Sequence, residues 1–133
     1  VGRARLCIKR AAWDAIWRHA KSAYPREAVG ALVGKDGCAC FAWPLPNVHP
    51  RPEVGYRAEP RALLSALKRA EREGLSVLAF YHSHPQGLAR PSETDRREAY
   101  WDLPYLIVGL QEGKARAWRL PSGEEVVVVV EPE

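Results

Sequence analysis

The sequence predicts an α/β domain, an α+β layered arrangement with helices dispersed among strands. Three observations carry this. Segments with apolar residues at helical spacing, 10–23 and 61–73, alternate with short runs rich in strand formers. Residues 76–81 form a continuous apolar run, as in a central strand covered on both faces. Five consecutive valines, Val126 to Val130, form a tail that must be buried in a sheet or a subunit contact.

Taken in order, residues 3–9 set Ala4, Leu6 and Ile8 against Arg3, Arg5 and Lys9 and read as a first strand. Trp13, Ile16, Trp17, Ala20 and Tyr24 recur at helical spacing. Residues 10–23 are therefore expected to form an amphipathic helix, anchored by its Trp pair and stopped by Pro25. Residues 28–33 are a small-residue apolar strand, and the turn Lys35-Asp36-Gly37 leads back into a second strand over 38–43. The proline-rich stretch 44–52 is a loop, and 55–58 reads as a short strand. Leu63, Leu64, Leu67 and Ala70 line one face of a helix over 61–73, with Gly74 as its stop. After the central strand, 86–91 is a loop and 92–100 starts a short helix. Residues 103–110 and 115–120 form a hairpin around Glu112-Gly113.

A chain of 133 residues with 47% hydrophobic content is read as one domain, residues 1–133, with a real core. No apolar run approaches the roughly 18 to 20 residues of a bilayer-spanning helix, and the charged first twelve residues do not read as a secretory signal. A cytoplasmic location is expected. Net charge is a mild +4, from 20 Lys+Arg against 16 Asp+Glu. No basic stripe interleaves with aromatics, so nucleic-acid binding is not expected. Cys7, Cys38 and Cys40 are odd in number, which for a cytosolic chain argues for buried thiols over a disulfide framework. Cys38-Ala39-Cys40 does not have zinc-knuckle spacing.

The chemistry concentrates in Tyr81-His82-Ser83-His84-Pro85 and Ser92-Glu93-Thr94-Asp95. In an extended segment His82 and His84 project from the same side, so two imidazoles can converge on one ion. Ser92-x-x-Asp95 is a helix-capping pair on its face. If Ser92 caps the helix, Asp95 lies in the first turn and faces back toward the strand end. Two neutral imidazoles and one carboxylate make an open zinc site with a fourth position for water, which is a hydrolytic arrangement. Glu27 is an odd choice to begin an apolar strand on packing grounds alone. On a strand next to 76–82 its carboxylate could serve as a general base.

Glu27, then His82-Ser83-His84-Pro85, six residues, Ser92, two residues and Asp95 resembles the JAMM (MPN+) metalloprotease motif at every defining position. Pro25-x-Glu27-x-x-Gly30 looks like the glutamate segment of that family. Asn47 with Tyr56 and Pro60 is similar to its connection before the second helix. The resemblance runs from about Leu6 to Val130 and suggests a compact prokaryotic member. It implies a cytidine-deaminase-like fold, a curved mixed sheet flanked by helices. It implies Zn2+ held by His82, His84 and Asp95, with Glu27 as the base and Ser92 stabilising the tetrahedral intermediate. Ser83 takes a structural place between the ligands. Deaminases need His-x-Glu with a distant Pro-Cys-x-x-Cys, which this sequence lacks.

The resemblance also points to the substrate: an amide or isopeptide at the C-terminus of a ubiquitin-like or sulfur-carrier protein. The extended tail is expected to lie along a sheet edge, with 86–91 and Trp101 flanking the groove. Trp101 reads equally well as core. Two other functions stay open: a non-catalytic protein-binding module on the same fold, and a metal-dependent amidase acting on a small substrate.

Overall fold

The computed structural model describes residues 4–132; the expected strand position Arg3 lies outside them. The elements run β1 (Arg5–Lys9), α1 (Arg10–Ala23), β2 (Val29–Lys35), β3 (Cys38–Leu45), α2 (Pro60–Arg72), β4 (Ser76–His84), α3 (Glu93–Glu98), β5 (Tyr105–Gly109), β6 (Lys114–Arg119) and β7 (Glu124–Glu131). The expected strand over 55–58 is only the bridge between Asn47 and Ala58. The proline-rich stretch lacks the donors for a longer ladder.

The sheet is mixed and closes on itself in the order β1-β3-β2-β4-β5-β6-β7. β7 lies parallel to β1 over five residue pairs and antiparallel to β6. That placement pairs Val126 with β6 and the other four valines with β1; Val126 is fully buried and Val127 to Val130 are partly buried. The β1–β3 joint is short, two residue pairs, so β3 beyond Ala39 is paired on its β2 side alone.

β4 sits between β2, antiparallel, and β5, parallel. Alternation along these strands sorts their side chains into two clusters. Leu32, Ala79, Tyr81, Leu106 and Val108 join Ile16 and Ala20 of α1. Ala31, Val33, Phe80 and Tyr105 face Ala70 of α2. Trp13 and Trp17 meet edge to face and pack against the first cluster. Tyr24, expected on the buried face of α1, is 54% exposed because it caps the helix end. Leu64, expected on the apolar face of α2, is 52% exposed, while Leu63 packs inward. Gly74 ends α2 at φ 69°, as its position predicted. Gly30 faces the Tyr81 ring so closely that a Cβ would overlap it.

The cysteine expectation is corrected. Cys7 and Cys38 form a disulfide, and Cys40 is the free thiol. The parallel register sets Cys7 opposite Cys38 with Cα atoms 4.6 Å apart, within bridging reach. Counting cysteines could not reveal that register, and an odd count merely leaves one over.

Candidate metal centre and active site

The site forms where β4 ends. Antiparallel pairing sets Val29 against His82, and Ala28 and Ser83 bond each other next. The Ser83 amide donates to the Ala28 carbonyl, and the Ala28 amide donates to Ser83 Oγ at 2.7 Å. Carried one pair further, that register brings Glu27 to His84. A carboxylate oxygen of Glu27 and a ring nitrogen from each of His82 and His84 lie within 4.8 Å of one another. The sequence expectation that β2 neighbours the histidine strand holds. Ser83 fastens the two strands from the opposite face.

Asp95 arrives from α3. Ser92 caps that helix: its Oγ accepts the Asp95 amide at 3.0 Å, and the Ser92 amide donates to Asp95 Oδ2 at 2.9 Å. The cap turns the carboxylate back toward β4. Asp95 Oδ2 then lies 3.3 Å from His82 Nε2 and 3.1 Å from His84 Nε2. The capping reading of Ser92-x-x-Asp95 is realised, and the cap brings Asp95 to both histidines. Ser92 itself is exposed beside the cleft, and its hydroxyl proton remains free to donate.

The donor set fits a tetrahedral metal. Ligands about 2.0–2.1 Å from a zinc stand about 3.3 Å apart, close to the two Asp95 distances. The protonation pattern fits too. His84 Nδ1 lies 2.9 Å from the Leu88 carbonyl, which can only accept, so Nδ1 carries the hydrogen. In the neutral ring Nε2 then turns a lone pair toward a carboxylate oxygen. Such a meeting of acceptors is relieved by a bound metal ion or by a proton on Nε2. Glu27 Oε1 and His82 Nδ1 are buried without a partner among the described residues. Glu27 bonds neither histidine, so it stands about one water away from them.

Electrostatics follows from burial and crowding. Burial pushes the Glu27 carboxyl up to about 7, countered by the charge of His84 and reinforced by that of Asp95. Burial pulls His82 down against the opposing effect of Asp95. Burial also pulls on His84, but its bonds to Asp95 and Leu88 outweigh this and raise it. Burial would raise Asp95, yet the histidine bonds and the Ser92 amide hold it well below the usual carboxylate range.

Several supporting residues were not read as site residues from the sequence. Tyr56 stacks on His82 with ring centroids 4.2 Å apart. The Asn47 side chain donates to the Glu27 and Gly55 carbonyls and accepts the His49 and Arg57 amides. A lone asparagine among prolines signals a turn, and nothing local marks it as the tie between Glu27 and the Tyr56 loop. The 86–91 loop secures the site instead of lining it. Leu88 holds His84, while Ala89 is clamped by Glu112 and Trp118. Beside Ser92 and Asp95 opens a cavity of about 210 Å³ walled by Tyr56, Phe80, Trp101 and Tyr105. Trp101 plays both expected parts, lining this cavity and packing on Phe80 at 5.3 Å.

Residues 9–121 match the family model of prokaryotic homologs of the JAB domain. The chain is 47% identical over 125 residues to the Thermus thermophilus protein named "Probable TtuB-protein conjugate cleaving protease", covering 94% of this chain and 82% of that one. It is 33% identical to a desampylase of Haloferax volcanii, covering 96% and 97% of the two chains. A solution structure of a Desulfitobacterium hafniense protein superposes with a TM-score of 0.86 at 30% identity, covering 96% and 94%. The chain therefore belongs to the prokaryotic branch of the JAB1/MPN (JAMM) family.

Proposed function

We propose that the protein is a zinc-dependent hydrolase that cleaves an amide or isopeptide bond at the C-terminus of a ubiquitin-like or sulfur-carrier protein. His82, His84 and Asp95 hold the metal, Glu27 is the base, and Ser92 is the oxyanion donor. The carrying observation is the convergence of both Nε2 atoms on Asp95 Oδ2, with an unpartnered Glu27 oxygen alongside. Asp95 lies at hydrogen-bond distance from both imidazoles, while Glu27 is near both but bonds neither, which supports a ligand role for the first and a base role for the second. Names of relatives support the substrate class: one is named for cleaving protein conjugates, another as a desampylase.

A zinc ion held by His82, His84 and Asp95 would supply an acidified water, with a pKa of about 7, and a Lewis acid for a carbonyl. Glu27 then takes the proton of the attacking water. It can hold that proton and pass it to the departing amine. The Ser92 hydroxyl, its lone pair engaged by the Asp95 amide, donates to the substrate oxygen where charge gathers. The Leu88 carbonyl keeps His84 in the tautomer that presents Nε2. The same reading takes the curved mixed sheet as cytidine-deaminase-like, carried by one cytoplasmic domain.

The test is hydrolysis of a ubiquitin-like protein joined through its C-terminus to a lysine, measured beside short peptides of the same tail. Release from the conjugate, abolished by chelator and restored by zinc, is expected. Equal rates on conjugate and short peptide would remove the carrier protein from the proposal. No turnover of any amide by zinc-loaded protein would remove the hydrolase.

A further inference from the structure

Stacking on His82 explains the ring of Tyr56 but not its hydroxyl, since phenylalanine would stack as well. Half-buried phenol hydroxyls ordinarily find a partner. Tyr81 has His19 at 2.7 Å, and the Tyr105 hydroxyl accepts the Tyr100 and Trp101 amides. The Tyr56 hydroxyl has no hydrogen-bond partner among the described residues. Tyr56 lines the cavity with Ser92 and Asp95. A phenol hydroxyl carries its proton at neutral pH, so the group can donate.

The surroundings leave a role for that donor. The histidine strand β4 is flanked by β2 on one side and β5 on the other, so it offers an entering peptide no edge to pair with. The cavity wall sets Phe80 and Leu63, which offer the peptide's carbonyls nothing, among polar side chains that include Ser92, Thr94 and Arg57. Tyr56 is rigidly presented. Its loop is tied at both ends by the Asn47–Ala58 bridge, and Asn47 bonds the residues on either side of it, Gly55 and Arg57. The Pro52 carbonyl also accepts the Glu27 amide at 2.7 Å.

We propose that the Tyr56 hydroxyl is a substrate-holding donor, bonding a main-chain carbonyl of the extended C-terminal tail where it passes the cavity beside Asp95. This rests on the hydrolase reading above. A carbonyl away from the reacting bond is held equally in the ground and transition states, so the contact governs KM and leaves kcat alone.

Tyr56→Phe keeps the stacked ring and removes the hydroxyl. Calorimetric titration of zinc-loaded protein with a synthetic hexapeptide ending in Gly-Gly should show Kd raised about three- to tenfold, with zinc content and melting temperature unchanged. Against a lysine conjugate, KM should rise by a similar factor with kcat held within about twofold. Unaltered peptide affinity, a fall in kcat at constant KM, or a wild-type protein that binds no such peptide would each overturn the assignment. A wild type that binds the peptide but hydrolyses no conjugate would instead remove the hydrolase reading. Weakened peptide binding in Tyr56→Phe would still support the tail contact.

Discussion

Replacing Glu27 by glutamine separates the proposed chemistry from a stability effect of opposite sense. The carboxyl is 6% exposed, and burial holds it at about 7 against an ordinary 4.5. The folded chain therefore binds this proton more tightly than the unfolded chain does. Its contribution to stability is complete below about pH 4.5 and is lost as the pH rises through about 7. At about 1.36 kcal/mol per unit, the gap amounts to about 3 kcal/mol. Glutamine has no such proton. In metal-free protein, urea unfolding at pH 5 and pH 8.5 should show wild type losing about 2 to 3 kcal/mol more than Glu27→Gln across that interval. His82 and His84 titrate in both proteins, and the charge coupling of His84 with Glu27 is part of the measured difference. With zinc restored, the same variant should bind metal normally and hydrolyse a conjugate about a hundred- to ten-thousandfold more slowly. Parallel stability curves for the two proteins would mean that Glu27 is not desolvated. The inference from burial to base would then be wrong.

Asp95→Asn removes the carboxylate shared by both imidazoles. Equilibrium dialysis should show zinc affinity reduced by about a hundredfold or more. Gly30→Ala drives a methyl group into the Tyr81 ring, whose hydroxyl is tied to His19. Calorimetric melting should show a loss of about 1 to 3 kcal/mol, and an unchanged melting temperature would mean that the strands part easily. Cys7→Ser with Cys38→Ser opens a link across 31 residues of sequence. Urea unfolding should show a loss of about 2 to 4 kcal/mol, and adding reductant to wild type should reproduce it.

The fold was legible wherever side-chain period met burial. Leu6 and Ile8 point inward as their alternation required, and Ile16 and Ala20 mark the buried line of α1. The failures came where periodicity gives no address. Leu64 fits a helical stripe but is exposed, while its neighbour Leu63 packs inward. Cys7 finds Cys38 only through a parallel pairing of β1 with β3 that no local pattern encodes. The site divides in the same way. His82, His84, Ser92 and Asp95 are close in sequence, and strand alternation with helix capping was enough to bring them together. Glu27 depended on β2 lying beside β4, which the structure bears out. Tyr56 and Asn47 belong to an irregular loop, where position follows from a web of amide bonds and not from repeat spacing. The contact of Leu88 with His84 runs through a main-chain carbonyl, for which the identity of the residue gives no signal.

A ring of strands has no outermost member from which to fray. Any strand that leaves must break with neighbours on both flanks, so local opening begins where the joint is thinnest. That joint is β1 against β3, which share two residue pairs, Cys7 with Cys38 and Ile8 with Ala39. The covalent link stands at this joint. Cutting it turns a hoop into a ribbon with two loose margins, one of them β1 still zipped to the valine strand. Amide exchange in β1 and β3 should then quicken ahead of the rest of the molecule.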